Sequence, residues 1–272
     1  MLRSSEDKKQ PDASLCCDIT RAHTLFSELL ERSKFKAQKF TSPWIMAMQW
    51  HDLLFMHWPI PEAMLRPWIP PALTIDTYGG SAWLGIVPFV MRGVRARGLP
   101  AIPGLSAFPE LNVRSYVSYN GQPGVWFFSL DADNYSAVRT ARLAFHLPYF
   151  DANMRTARDA KTIHYTSIRT HAGATAARFE ASYAPLGHSY LAASGSLEDW
   201  LTARYCLYAA DQRGGLWRGK IAHTPWPLQA ASCDLRVQHM TEQIGLHLPG
   251  KPSLLHFVRR LDVVAWLPER IL

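Results

Sequence analysis

Lysine, cysteine and long apolar runs are all scarce in this 272-residue chain, and each scarcity excludes a class of chemistry. Only eight of the 29 basic residues are lysine, and five of them (Lys8, Lys9, Lys34, Lys36 and Lys39) precede residue 44. Imine chemistry needs a desolvated amine, which leaves Lys161, Lys220 and Lys251 as the nucleophiles of the main body. Lys251 falls in the turn Pro249-Gly-Lys-Pro252, Lys161 just precedes a strand-like run, and Lys220 alternates with Arg218 away from Trp217 and Ile221. None reads as buried. The four cysteines, Cys16, Cys17, Cys206 and Cys233, form neither a disulfide framework nor a zinc-type spacing, which fits a reducing cytoplasm. No run of eighteen apolar residues exists to span a bilayer, and the opening Met1-Leu-Arg-Ser-Ser-Glu-Asp-Lys-Lys9 lacks the apolar core of a secretory signal. The expectation is a cytoplasmic, soluble protein with no membrane partner. Also missing are the Gly-rich phosphate loops, the Gly-x-Ser-x-Gly elbow, Cys-x-x-Cys and His-Glu-x-x-His, so nucleotide, dinucleotide and zinc-peptidase readings fall well down the list. The formal charge of +7 comes from arginines scattered among acids, without the basic run a nucleic-acid partner requires.

What the chain does have is apolar and aromatic bulk: 48% hydrophobic residues with 10 Trp, 10 Tyr and 12 Phe, enough for a substantial core. Residues 1–43 stand apart. They are charged, poor in aromatics, and carry one helical pattern over Thr20–Lys39 with Leu25, Leu29 and Leu30 on a face, which predicts a flexible or loosely docked extension. Residues 44–272 read as a single β-rich domain. Strand-like runs cover Met48–His57, Ala82–Met91, Leu111–Tyr119, Val125–Leu130, Thr162–Thr170, Ala177–Tyr183, Arg204–Ala209, Trp217–His223, Ala231–Gln238 and Leu254–Trp266. Helical signals are few: Pro61–Arg66, Tyr135–Phe145 capped by Asn134, and Ser196–Arg204 with a Ser196/Asp199 pair of capping-box type. Without strand–helix alternation, the pattern predicts an α+β, mainly β fold. Its sheet is antiparallel, curved and barrel-like or cone-like, with a few short outer helices. The stretch Arg92–Ser106, rich in Gly and Pro, reads as a loop.

Just after that loop, Ala107–Tyr119 puts Glu110, Asn112, Arg114 and Tyr116 on one face of a strand and Leu111, Val113 and Val117 on the other. Such a face is either a wet outer surface, the commoner cause, or the wall of a polar cavity. If a cavity, Glu110 and Arg114 suit a small carboxylate or carbonyl compound, through bidentate guanidinium contacts and a desolvated carboxyl that exchanges a proton. Arg66, Arg139, His146 and Arg204 are the other charged residues in apolar surroundings, with structural ion pairs as the alternative role. His51 and His57, spaced evenly on a continuous strand, turn to one side with Leu53 and Phe55, about 20 Å apart, too far for one metal. His223 falls on the side of Trp217 and Ile221, where burial disfavours protonation and leaves an acid or base, or simply a satisfied core histidine.

Several segments together resemble one family. They are Trp50-His-Asp-Leu-Leu-Phe-Met-His-Trp-Pro59, Pro61-Glu-Ala-Met-Leu-Arg-Pro67, Phe108-Pro-Glu-Leu-Asn-Val-Arg114, Gly124-Val-Trp-Phe-Phe-Ser-Leu-Asp-Ala132, Leu147-Pro-Tyr-Phe150, Arg204-Tyr-Cys-Leu-Tyr208 and His223-Thr-Pro-Trp-Pro-Leu228. In order, over about Trp44 to Arg270, they resemble the YqjF-like family of conserved bacterial proteins, itself distantly similar to acetoacetate decarboxylase and related cyclase-like proteins. The resemblance implies a β-barrel or cone-like sheet around an internal ligand cavity, and makes Glu110 the counterpart of a carboxylate lining the decarboxylase cavity. It also exposes a departure: the decarboxylase uses an imine-forming lysine beside a second lysine, whereas Arg139–Phe150 here contains none. The resulting expectation is a protein that binds a small carbonyl- or carboxylate-bearing molecule in an internal cavity. Glu110 and Arg114 are its reactive pair, and Asn112, His146, Tyr149, Arg204 and His223 are its lining, with no metal or cofactor. Two alternatives stay open: a lysine-independent lyase, cyclase or isomerase working by acid–base chemistry, and a non-catalytic interaction protein without a cavity. The sequence is also compatible with a homo-oligomer.

Overall fold

Alternation of apolar and polar side chains along long β-branched and aromatic runs makes strands, and the residues on both faces of the central ones make them interior strands. The structure, a computed structural model, describes residues 42–272 apart from Pro249, so the extension expected over residues 1–43 lies almost wholly outside the described residues. Among the described residues thirteen strands form one sheet. They are β1 (Met46–Ile60), β2 (Thr74–Ile75), β3 (Ala82–Ala96), β4 (Phe108–Tyr119), β5 (Gln122–Ala132), β6 (Tyr149–Asp159), β7 (Thr162–Arg169), β8 (Arg178–Tyr190), β9 (Cys206–Ala210), β10 (Leu216–His223), β11 (Leu228–Gln238), β12 (Leu254–Ala265) and β13 (Glu269–Arg270). Among the described residues three short α-helices accompany them: α1 (Glu62–Leu65), α2 (Tyr135–Phe145) and α3 (Leu197–Thr202). The Asn134 side chain accepts from the Ala137 amide and that of Ser196 from the Asp199 amide, so the two expected caps start α2 and α3.

The sheet closes on itself twice. Pairings β10–β9–β5–β4–β3–β1–β12–β10 trace a circuit of seven strands, and β5–β6–β7–β8–β11–β12–β1–β3–β4–β5 one of nine. The two share the wall β12–β1–β3–β4–β5, whose strands therefore face an interior on each side. Closure leaves few free edges, a general advantage of curved antiparallel sheets. The expected antiparallel pairing holds except at β5, which meets β6 and β9 in short parallel registers. Gly124 makes the second junction possible, since a Cβ there would lie 2.7 Å from the Cys206 carbonyl oxygen.

One face of the shared wall packs an apolar core. Leu54, Met56, Leu84, Ile86, Leu111 and Val113 meet Tyr165, Phe179, Tyr183 and Phe257 from the nine-strand side. The other face sends Phe55, Val87, Phe89 and Leu130 toward Trp226, Ala209 and Val258. Two sequence readings change here. Strand β3 runs on to Ala96, into the segment read as a loop. Strand β6, with the exposed Asn153-x-Arg155 side of a hairpin and low strand propensity, carried no signal; pairing with β7 and with the end of β5 holds it.

Candidate functional site

Strand β4 places its polar face inside the seven-strand circuit. Glu110, Asn112, Arg114 and Tyr116 are 2%, 5%, 9% and 0% exposed, so this is no wet outer surface. Burying such groups is costly unless each finds a partner, and the partners differ from one end of the strand to the other.

At the α2 end, Tyr149 opens β6 and donates its hydroxyl proton to Glu110 Oε2 at 2.9 Å. Burial raises the Glu110 carboxyl to about 8; the Tyr149 hydrogen bond opposes that rise and the nearby Asp131 adds to it. Glu110 is therefore largely protonated at neutral pH. Asp131, on β5, cannot serve the same role because Arg169 clamps it with two bonds of 2.9 and 2.6 Å, an ion pair almost wholly buried. The Tyr165 hydroxyl donates to the Glu110 backbone carbonyl at 2.7 Å, fixing β4 from the nine-strand side.

Arg114 lies four residues along, about 13 Å from Glu110 between Cα atoms. They share a face of β4 but lie two side-chain positions apart on it, so each has its own surroundings. The Arg114 guanidinium sits 5.1 Å from the Phe55 ring centroid and 5.8 Å from that of Tyr116. Among the described residues it has no carboxylate partner, and its Nε has no hydrogen-bond acceptor. Beyond it, the Tyr116 hydroxyl and His57 Nε2 are 2.6 Å apart, both groups fully buried. Burial pushes His57 well below its ordinary range, with the charge of Arg114 adding to the effect, so the imidazole is neutral. Arg204 closes this end: it binds Asp76 at 2.5 Å, donates Nε to the Trp200 carbonyl at 2.7 Å, and keeps Nη2 without a partner.

His223 sits between Tyr205 and Trp226, each 4.8 Å away between ring centroids. Its Nδ1 lies 2.6 Å from the Thr224 carbonyl, which only a protonated nitrogen can satisfy, so Nε2 carries a lone pair; that atom is buried and unpartnered. Burial lowers its pKa to about 4, with the Thr224 bond opposing and Arg114 contributing. Asn112 Oδ1 and Trp50 Nε1 are likewise buried without partners.

Trp50 reaches this interior because β1 is not regular. Asp52 adopts a φ of 51° and β1 gains one residue on β3 between His51 and Met56. The extra residue reverses the alternation. Trp50 and Phe55 then both pack on Trp226, at 5.8 and 4.9 Å. His51 is turned away to Gln49 while His57 points inward, so the two histidines do not share a face as an unbroken strand would have them.

Residues 47–262 match the model of the DUF2071 family of uncharacterized conserved proteins. YqjF of Bacillus subtilis strain 168 is 44% identical over 236 residues, 86% of this chain and 96% of that one. The chain belongs to this family. Among solved structures, the enduracididine biosynthesis enzyme MppR superposes with a TM-score of 0.62 at 12% identity, over 88% of this chain and 92% of the other. Acetoacetate decarboxylase from Legionella pneumophila follows at 0.56 and 12%, over 89% and 94%. An acetoacetate decarboxylase-like enzyme from Sphingomonas wittichii RW1 gives 0.57 and 13%, over 86% and 96%. At such identities these likenesses establish the fold alone.

In this DUF2071 chain, then, the fold brings Glu110, Asn112, Arg114, Tyr149, Arg204 and His223 to one interior. His146 is half-buried at the C-cap of α2 and rests on Trp217 at 4.5 Å, apart from the buried polar groups. Lys161 and Lys251 are exposed and Lys220 pairs with Glu269 at 2.9 Å. No three His, Cys, Asp or Glu among the described residues are grouped to hold a metal. A separate pocket of about 290 Å³, lined by Trp58, His239, Glu242 and His247, opens on the nine-strand side. Sequence reasoning missed His57 and the role of Tyr116. The available signal was Gly85 inside a strand, where a Cβ would press on His57 Cδ2 at 3.3 Å and the Tyr116 hydroxyl at 3.4 Å.

Proposed function

We propose that this protein binds a small carboxylate-bearing organic molecule, with a carbonyl or similar polar group, inside the seven-strand circuit. One observation carries the reading: Arg114 is a buried guanidinium without a carboxylate partner among the described residues. Glu110 is neutral and Asp131 is matched by Arg169, so neither offsets that charge. A buried unpaired charge is costly, and an anionic ligand removes the cost. Asn112, Arg204 and His223 add polar atoms on the same interior, whereas His146 on Trp217 takes no part. A protein of similar fold, MppR, is known complexed with pyruvate and with the condensation product of pyruvate and imidazole 4-carboxaldehyde, which supports an acid of this size.

Glu110 favours a second reading, a lyase, cyclase or isomerase. Held neutral by burial and oriented by Tyr149, it is a proton donor at pH 7 and works without an imine-forming lysine.

The test is a titration of the purified protein with pyruvate and short 2-oxo acids, read by melting temperature and ligand-observed NMR. Pyruvate should raise the melting temperature of the wild type and not that of Arg114→Met. Removing a buried unpaired charge should also leave unliganded Arg114→Met at least as stable as the wild type. An equal ligand-induced rise in both proteins refutes the assignment.

A further inference from the structure

A buried pair beside Arg114, Tyr116 and His57, is not used by the carboxylate reading proposed above. Tyr116 and His57 meet at 2.6 Å with both side chains fully buried, and His57 Nδ1 has no partner. Two arrangements of the shared proton are possible. If the phenol donates to Nε2, Nδ1 must carry a hydrogen, and a fully buried donor is left without an acceptor. If Nε2 donates to the phenol oxygen, Nδ1 holds only a lone pair, and the Tyr116 hydroxyl proton is free to point elsewhere. Each arrangement leaves one buried donor without an acceptor, the Nδ1–H in the first and the phenol O–H in the second, and only the second gives a donor on Tyr116 that an oxygen of the ligand can satisfy. The free hydroxyl then stands beside Arg114, whose guanidinium lies 5.8 Å from the Tyr116 ring, and beside Arg204 at 5.3 Å. This end of the interior offers donors: Arg114 Nε, Arg204 Nη2 and the phenol O–H. Gly85 leaves the pair uncrowded from β3, since any Cβ at that position would sit 3.3–3.4 Å from the imidazole and the hydroxyl.

We infer that Tyr116, positioned by His57, reads a hydrogen-bond-accepting oxygen on the carbon next to the ligand's carboxylate, so that the site selects 2-oxo acids over simple carboxylic acids. The inference rests on the carboxylate reading above and narrows its ligand class. A site built to donate a hydrogen bond discriminates against an analogue that lacks the acceptor, because a buried donor is then left unpaired.

Pyruvate and propionate make the comparison, because they share the carboxylate and chain length and differ in the carbonyl. Ligand-observed NMR titrations of the wild type should give pyruvate about five- to tenfold the affinity of propionate, the worth of one neutral hydrogen bond. In Tyr116→Phe the pyruvate affinity should fall to that of propionate while propionate binding stays unchanged, which also reports an intact Arg114. Gly85→Ala, which crowds the same pair without removing it, should narrow the ratio as well and serves should Tyr116→Phe fail to fold. Equal affinities in the wild type, or a preference undiminished in the folded variants, overturn the inference while leaving the carboxylate reading standing. Failure of both acids to bind overturns that reading, and this inference with it.

Discussion

Replacing Glu110 by Gln should flatten a pH dependence of stability that the wild type owes to one carboxyl group. In the folded protein Glu110 titrates at about 8, whereas an unfolded glutamate titrates near 4.5. Between those values the native state holds a proton that the unfolded state has released, so stability falls as pH rises, with a slope of about 1.4 kcal/mol per pH unit. Over three units, from pH 5 to pH 8, the loss amounts to about 4 kcal/mol; below pH 4 and well above 8 this group contributes no slope. The buried histidines act in the opposite sense. His223 is lowered to about 4, so its unfolded form binds more protons up to pH 6.5 and stability rises with pH in that range. Comparing two proteins that share those histidines removes their contribution. Gln preserves the volume, accepts the Tyr149 hydroxyl and cannot ionise. Urea unfolding of wild type and Glu110→Gln at half-unit steps from pH 5 to pH 9 should show the variant gaining on the wild type by about 4 kcal/mol, with the change ending near pH 8. Parallel curves across the whole range would refute a buried, neutral Glu110.

Tyr149→Phe removes a hydrogen bond that holds the Glu110 carboxyl down, so in the same experiment the end of the slope should move to higher pH; a shift to lower pH would contradict the hydrogen-bond assignment. Arg169→Met leaves Asp131 buried with no countercharge and should cost about 3–5 kcal/mol, measured by urea unfolding at pH 7. Most of that loss should be recovered in the double variant Arg169→Met/Asp131→Asn, and an additive double variant would deny the pair. Gly124→Ala drives a Cβ to 2.7 Å from the Cys206 carbonyl and the Tyr208 ring, where β5 meets β9, and should destabilise by about 1–3 kcal/mol. Amide exchange in β9 should quicken with it, and unchanged protection there would mean the seven-strand circuit does not depend on that contact.

The amino-acid sequence alone determines most of the local structure. Residues with strong intrinsic preferences announce themselves: each of the ten strand-like runs falls on a strand to within two residues at its ends, and Asn134 and Ser196 cap helices through their own side-chain oxygens. The alternation of Glu110, Asn112, Arg114 and Tyr116 with Leu111 and Val113 is likewise fixed by the period of a strand, whatever lies on either side. Which side is wet is not a local property. Both faces of β4 are buried because β5 pairs with β4, β6 and β9 at once and β12 with β1, β10 and β11, closing two circuits through contacts between residues far apart in the chain. Strand rise alone keeps Glu110 about 13 Å from Arg114, whereas the closure brings Glu110 its partner Tyr149 from β6. A single left-handed residue, Asp52, reverses the outlook of half of β1. No pattern of hydrophobicity encodes that reversal, because the extra residue is accommodated by neighbouring strands rather than by its own sequence. A raised carboxyl pKa, an unpaired guanidinium and a tautomer locked on His223 all follow from desolvation and from partners brought in by tertiary packing. The sequence therefore decided which groups could do chemistry, and the closed sheet decided which of them are dry, paired or left without a partner.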